Sequence, residues 1–347
     1  MTQANVAVLE LTDPHWASFV AGHPKATPFH NPDWARLVAG CYGFRAFALA
    51  LTDMTGTIRA GLPLVEVRHF PTGPKWVSLP YTDYCPPLAS AGQEQEELAS
   101  ALHQASSTAS VRRIEVRGPL AGGSATGASA FRHVLALSRD PAEVYARFHR
   151  SQVQRNIRRA EREGLTVRVA TQPEDLVGTF YRLHLRTRRR QGVPVQPRRF
   201  FRLLWEHAIS TGLGSVLIVE ASGRPIAAAV FLAWNGTAIY KFGASDASAW
   251  SLRPNHLLFW YAIRAACEQE YRWFDFGRTD AGQAGLRNFK LSWGAVEEPL
   301  VYRALGGKPA SAPAGDGMAT RVLGPVIRHG PLLLCRAFGE TLYRYVA

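Results

Sequence analysis

Little in this chain would hold a metal, cross a membrane or support a covalent enzyme intermediate. The four cysteines, Cys41, Cys85, Cys267 and Cys335, are scattered over 347 residues with no close pair. That spacing offers no metal-ligand set and predicts reduced, buried thiols of a cytosolic protein. No apolar run reaches the roughly 18 residues needed to span a bilayer. The amino terminus carries Glu10 and Asp13 and no continuous apolar core, so it does not read as a signal peptide, and cytoplasmic residence is the expectation. No Ser-His-Asp or Cys-His constellation is visible. Acids are also in short supply, 27 Asp and Glu against 40 Lys and Arg, for a net charge of +13.

What is present is arginine. Between Arg147 and Arg202 stand 15 arginines against the four acids Glu161, Glu163, Glu174 and Asp175, a local excess of +11. A field of that size favours a polyanion such as tRNA, a nucleotide or an anionic lipid head group. A solvated arginine-rich face is the plainer reading of the same residues. The candidates for polyanion contact are Arg155, Arg158 and Arg159 on the predicted helix ending at Glu163, together with Arg188, Arg189 and Arg190. The length suits two domains of ordinary size, and 47% hydrophobic content with mixed charge suits a globular fold.

One stretch mixes charge with aromatics where core packing would ask only for apolar residues. It reads Trp273-Phe274-Asp275-Phe276-Gly277-Arg278-Thr279, followed by Gly285-Leu286-Arg287-Asn288-Phe289-Lys290-Leu291-Ser292-Trp293-Gly294. Burying such charges is costly unless they pair or meet a polar ligand, so this strand end is a site candidate. Asp275 is the candidate for taking a proton from, or orienting, an amine; a structural ion pair with Arg278 or Lys290 is the alternative. Lys290 follows a glycine-containing loop and suits a phosphate or a developing oxyanion, and Arg278 offers a bidentate fork for phosphate or carboxylate.

The stretch resembles the carboxy-terminal domain of the FemAB-like branch of the GNAT superfamily, which includes aminoacyl-tRNA-dependent peptidyl transferases. Three further stretches agree in order: Phe29-His30-Asn31-Pro32-Asp33-Trp34-Ala35-Arg36-Leu37 with the family's opening helix, Leu79-Pro80-Tyr81-Thr82-Asp83-Tyr84-Cys85-Pro86-Pro87 with its first-domain cleft loop, and Ser151 to Gly164 with the basic helix that opens its second domain. The resemblance covers roughly residues 28 to 303. It implies a mixed α/β (α+β) fold of two tandem GNAT-like domains, central mixed sheets flanked by helices, and amide-bond formation by acyl transfer. The expected function is transfer of an aminoacyl group from charged tRNA to the amine of a small or peptide-like acceptor, with no resident cofactor. An acyl-CoA- or acyl-carrier-dependent N-acyltransferase is the alternative.

The resemblance also assigns binding residues. Tyr81, Asp83, Tyr84 and Arg36 fall on the acceptor side. Arg253, Asn255 and His256 fall where an acyl-CoA-dependent relative ordinarily carries a glycine-rich turn whose amides hold the pyrophosphate. No glycine occurs between Gly243 and Gly277, and Pro254 removes an amide; both departures weigh against CoA. By the same resemblance, members that extend peptidoglycan precursors carry a lysine, an arginine and tyrosines where Val38, Gln196, Phe200 and Phe242 stand here, which points to a different acceptor. Trp34, Trp76, Trp205 and Trp260 are assigned to packing.

Along the chain, strands and helices alternate without a regular βαβ rhythm. The expected domains are 1–146, the acceptor side, and 147–304, carrying the signature. A flexible connection over 305–320 and an amphipathic segment over 321–347 follow. Pro141 to Glu163 reads as one helix closed by Gly164, and His133 to Leu137 as a strand of the first domain. Val322 to Tyr345 is apolar with Arg328, His329, Arg336 and Arg344 interspersed. It reads as a closing helix packed on the body or as a peripheral anchor at the inner face of an anionic membrane.

Overall fold

The computed structural model describes residues 5–69, 73–90, 92–125, 129–306 and 318–343. The first run of elements is β1 (Asn5–Leu9), α1 (Pro14–Gly22), α2 (Pro32–Tyr42), β2 (Arg45–Thr52), β3 (Ile58–His69), β4 (Gly73–Val77), α3 (Gly92–Thr108), β5 (Ile114–Val116) and β6 (Ser124–Ala125). Then come β7 (Ala130–Ala136), α4 (Pro141–Ala146), α5 (Arg155–Arg162), β8 (Thr166–Val169), α6 (Tyr181–Gln191), α7 (Arg198–Leu204), β9 (Gly214–Ala221), β10 (Arg224–Trp234), β11 (Thr237–Ser245), α8 (Pro254–Glu268), β12 (Trp273–Asp280), α9 (Ala284–Leu291) and β13 (Val296–Pro299). The last are β14 (Arg303–Leu305), α10 (Met318–His329) and α11 (Leu332–Leu342).

Local chemistry sets many of these boundaries. Asn31 caps α2 by accepting the Asp33 N–H at 2.9 Å, Pro32 opens the helix, and Gly43 closes it at φ 71°. Asp53 turns β2 into β3 by accepting the N–H groups of Thr55 and Thr57 at 2.8 and 3.0 Å. The helix expected over Pro141–Glu163 is broken. α4 stops at Ala146, and a π-helical turn over Arg150–Gln154 precedes α5. The cause is tertiary: the His149 N–H donates to the Ser292 carbonyl at 2.8 Å, and its ring Nδ1 caps the new turn by accepting from the Gln152 N–H.

Two seven-stranded sheets run β1-β2-β3-β4-β5-β14-β6 and β13-β7-β12-β11-β10-β9-β8. They repeat one plan. In each, a four-stranded antiparallel meander meets a parallel neighbour, β4 with β5 or β11 with β12, across a helical connection, α3 or α8. A strand from a distant part of the chain then pairs antiparallel beyond it, β14 on β5 and β7 on β12. The mixed α/β class expected from the sequence is the class observed.

The compact units are residues 1–129 with 299–313, and 130–298 with 314–346. The division falls before β7 rather than near Arg147. β7, assigned from sequence to the first domain, pairs with β12 from Ala136↔Trp273 to Ala130↔Asp280. β14, assigned to the second, pairs with β5 and β6. Each unit has its own core: Phe47, Leu62, Trp76 and Leu102 among others in the first, and Phe148, Ile263, Phe274, Phe276 and Trp293 in the second. All four cysteines are buried and free.

Most of the expected connection 305–320 (residues 307–317) lies outside the described residues. α10 and α11 pack against α6. A Cβ on Gly339 would meet the Val195 carbonyl oxygen at 2.1 Å, so the helix sits directly on that backbone. Gln196 Nε2 donates to the Tyr343 hydroxyl at 2.8 Å, and the Arg198 N–H donates to Glu340 at 3.1 Å. Leu333 and Val326 face outward, 74% and 48% exposed. Among the described residues no helix is long and apolar enough to cross a membrane.

Candidate active site

β11 and β12 pair as parallel strands only from Thr237↔Trp273 to Ile239↔Asp275, although β11 continues to Ser245 and β12 to Asp280. A fork therefore opens at Asp275. Each strand carries an irregularity just past it. On β11, the register against β10 shifts at Lys241, between the pairs Phe231↔Tyr240 and Val230↔Phe242. On β12, the register against β7 shifts between Asp275↔Val134 and Arg278↔Arg132. Such bulges re-aim side chains and are enriched beside functional sites.

The β12 bulge is built from Gly277, at φ 72°, a conformation that side-chain-bearing residues rarely adopt. Its backbone is gripped on both sides of the Cα. The Gly277 N–H donates to Asp275 Oδ1 at 2.7 Å, and Lys290 Nζ donates to the Gly277 carbonyl at 2.8 Å and to the Arg278 carbonyl at 3.1 Å. Asp275 and Lys290 are 7% and 3% exposed. The acid and the ammonium singled out from the sequence thus meet on the backbone of Gly277, a partner the sequence reading did not foresee. Arg278 is half-buried, and its Nε and Nη2 both donate to Asp280 Oδ1. Its fork is turned to a neighbouring carboxylate of the same strand.

Two residues here, His133 and Glu297, escaped the sequence reading, and Arg287 stood in the signature without an assigned role. His133 on β7 is fully buried, and its Nε2 lies 3.0 Å from Glu297 Oε2. Glu297 is also held by Arg287 through Nε at 2.8 Å and Nη2 at 2.6 Å. With Glu297 ionised, Nε2 carries the proton, leaving Nδ1 buried with no partner among the described residues. Burial, then the charge of Lys290, pushes the imidazole below its ordinary range, while the Arg287 hydrogen bonds hold Glu297 below the usual carboxylate range. The only cue in the sequence was a histidine in an apolar strand. Its partner lies 164 residues away.

The donor-side residues surround the start of α8. Arg253 is the N-cap at φ 63°, with no side-chain capping bond, and Pro254 is the first helical residue. Asn255 is therefore inside the helix, not its cap. His256 packs edge-on to Phe289 and near-parallel to Trp293, with Nε2 3.4 Å from Asn156 Nδ2. Burial and then the Arg253 charge hold it down to about 4. Beside the fork, Phe242 meets Phe200 and His184 at ring distances of 5.7 and 5.8 Å, and His184 Nε2 lies 2.9 Å from Gln196 Oε1. The aromatic replacements noted in the sequence meet in one cluster, Phe200 buried and Phe242 half-buried.

In the first unit, Tyr81, Asp83 and Tyr84 lie half-buried on a strained loop. Leu79 and Tyr81 have φ 59° and 61°, costly for such residues and sustained only where the surroundings over-determine the backbone. Those surroundings are visible. Trp34 Nε1 donates to Thr82 at 2.9 Å, His30 Nε2 to the Pro86 carbonyl at 2.9 Å, and Tyr302 to the Asp83 carbonyl at 2.8 Å. The Tyr81 ring sits 4.6 Å from Tyr42. Arg36, by contrast, pairs with Asp33 on the outer face of α2.

Of the polyanion candidates, Arg155 and Arg158 are exposed on α5, and Arg159 lies 3.5 Å from Glu163. Arg188 and Arg190 are half-buried and partly engaged, with the Pro194 and Ser245 carbonyls respectively. Arg190 also lies 4.7 Å over the Trp250 ring. Arg189 is half-buried, with Nε unpartnered among the described residues.

Residues 147–291, which contain the fork, match the acetyltransferase (GNAT) domain family. Around them, the whole arrangement matches "Crystal structure of FemX" at TM-score 0.66 and 15% identity, over 85% of this chain and 96% of that one. The chain has the FemAB-like GNAT fold. The same fold is found in the carboxy-terminal domain of a putative lysylphosphatidylglycerol synthetase from Agrobacterium fabrum (TM-score 0.56, 15% identity, 84% of this chain and 91% of that one). It is found again in a tandem GNAT protein from the clavulanic acid biosynthesis pathway (TM-score 0.50, 11% identity, 89% and 100%). No curated protein matches the sequence. FemAB-like architecture and an acyltransferase domain are therefore the frame for the site.

Proposed function

We propose that the chain transfers an aminoacyl group from charged tRNA to the amine of a small or peptide-like acceptor. The observation that carries the choice of donor is the start of α8. A diphosphate cradle at a helix N-terminus needs converging backbone amides. Here Pro254 supplies none, and the His256 N–H is already donated to the Arg253 carbonyl at 3.1 Å. Arg253 instead keeps its Nε buried and unpartnered among the described residues, a donor suited to an isolated phosphate.

In this reading an acceptor amine enters the fork and Asp275 orients it or takes its proton, while Lys290 holds the Gly277–Arg278 backbone in place. The amine attacks the ester carbonyl, the C–N bond forms, and the ribose hydroxyl leaves with a proton. As the acyl C–O bond breaks, the ribose oxygen leaves more readily than an amide nitrogen would, so positioning supplies much of the acceleration. The similarity to FemX and to a lysylphosphatidylglycerol synthetase domain supports the reading.

The test is to incubate the protein with labelled charged tRNA and, separately, labelled acyl-CoA pools, together with a panel of amines. Label is expected to move from tRNA, and Asp275→Asn to suppress it. Movement from acyl-CoA alone would replace this reading with a CoA-dependent N-acyltransferase.

A further inference from the structure

Outside the fork, a groove of about 640 Å³ is lined by Tyr145, Arg150, Gln154, Arg158, Glu161 and Trp260, with Ala142 and Ala146 between them. That volume lies within the range of small-ligand sites. The π-helical turn over Arg150–Gln154 supplies one wall and α5 another. Widening of the helix at that point is sustained by the Gln154 side chain, whose Nε2 donates to the carbonyls of Tyr145 and Phe148 at 3.1 and 3.0 Å. Irregular turns of this kind occur often at functional sites.

The lining has two chemistries. Trp260, assigned to packing from the sequence, is only half-buried, with the half-buried Tyr145 ring 5.0 Å away and Phe148 behind it at 5.7 Å. Arg150 and Arg158 are exposed, and among the described residues neither makes an ion pair or a side-chain hydrogen bond. Elsewhere on the same surface arginines are engaged, as Arg159 is with Glu163 and Arg168 with Asp175 and Glu220. An aromatic platform beside two unpaired guanidiniums selects a ligand with a planar ring and a phosphate. Glu161, the one acid in the groove, offers an acceptor to a ring amino group.

We infer that this groove binds a nucleoside phosphate, its base against Trp260 and Tyr145 and its phosphate on Arg150 and Arg158. The source is either a single-stranded RNA end or a free nucleotide. Only the RNA source rests on the tRNA-dependent reading proposed above; the free-nucleotide source is independent of the reaction at the fork.

Binding to the intact protein would be measured by calorimetry with adenosine 5′-monophosphate and ribose 5-phosphate, and by anisotropy with a labelled single-stranded RNA tetranucleotide. Stacking makes the nucleotide bind about fivefold or more tighter than the sugar phosphate. Trp260→Leu should erase that difference, and Arg150→Ala with Arg158→Ala should weaken both ligands, whereas Arg162→Ala, on the same helix but outside the groove, should change neither. The arginine variants alter exposed side chains, so they stand even if Trp260→Leu folds poorly. RNA binding tighter than the mononucleotide, with the same dependence on the variants, names RNA as the source; equal binding names a free nucleotide. Equal affinity for nucleotide and sugar phosphate, or an equal loss in Arg162→Ala, overturns the site in favour of a diffuse basic surface. Nucleotide binding without aminoacyl transfer would sink the transfer reading and leave the groove standing. Transfer unaffected by the groove variants, with no nucleotide bound, would do the reverse.

Discussion

Asp275 and Lys290 hold the Gly277 backbone from its two sides, the Gly277 N–H at 2.7 Å from the carboxylate and the Gly277 carbonyl at 2.8 Å from the ammonium. They come from different elements, the last strand of the fork and α9, so the bulge and the helix are locked to each other. A left-handed glycine can flex, and these two charges remove that freedom. What remains is a carboxylate fixed at the point where two parallel strands part.

Asp275→Asn keeps the shape and leaves an oxygen for the Gly277 N–H while removing the charge. Turnover is expected to fall about 10²–10⁴-fold with the fold retained. The checks are steady-state kinetics and a thermal melt on the same sample. If the variant fails to fold, Asp275 is a structural group.

Lys290→Met removes the donor to two backbone carbonyls and should cost about 1–3 kcal/mol in urea denaturation, the usual penalty for buried groups left unsatisfied. Gly277→Ala should cost about 1–2 kcal/mol, because a Cβ is strained at φ 72°. The two losses should be non-additive, since both act on the backbone of one bulge. Full additivity would mean that the ammonium does not hold the bulge.

Acid should destabilise the first unit through His30. The ring is buried, with Nε2 donating to Pro86 and Nδ1 accepting the Thr27 N–H at 3.0 Å, so a neutral imidazole fills both roles and a second proton breaks one. Burial lowers its pKa to about 4 from an ordinary 6.5. Lowered in the folded state, it leaves stability intact above about 6.5 and removes it as pH falls toward 4, by up to about 1.4 kcal/mol per pH unit. His184, held down to about 3 by burial and then by Arg188, adds in the same direction. Melting temperatures between pH 7 and 4.5 should fall less steeply in His30→Gln. An unchanged slope would reassign the acid sensitivity elsewhere.

Gly339→Ala should loosen α11 from α6, because the new methyl would lie 2.1 Å from the Val195 carbonyl oxygen. Limited proteolysis is expected to cut the tail faster with little change in the melting of the rest. Equal protection in both proteins would mean that the tail is held by other contacts.

If charged tRNA lies along α5, its affinity should fall with salt by about 0.7 to 0.9 log units per log unit for each phosphate neutralised. Arg155→Ala, Arg158→Ala and Arg159→Ala together should flatten that slope. An unaltered slope would leave these arginines to solvation.

The sequence by itself determined the elements and the chemistry they carry. Asn31 and Pro32 mark the start of α2, Asp53 marks a turn, alternating apolar residues mark the strands, and the charged aromatic signature marks the site, because caps, turns and periodicity act within a few residues. Asp275 and Lys290 stood out on that basis as charges among aromatics, and the loop from Leu79 to Pro86 through its resemblance to a family. Tertiary structure alone decided the rest. β7 and β14 are equally good strands for either sheet by local criteria, and only pairing with β12 and with β5 and β6 settles their places. The break at His149 depends on a carbonyl 143 residues away, at Ser292. His133 gains meaning only beside Glu297, and Trp260 becomes the wall of a groove only beside Tyr145, Arg150 and Arg158. Such outcomes rest on contacts between residues far apart in the chain, and no local pattern encodes which of several compatible partners a strand or side chain will meet.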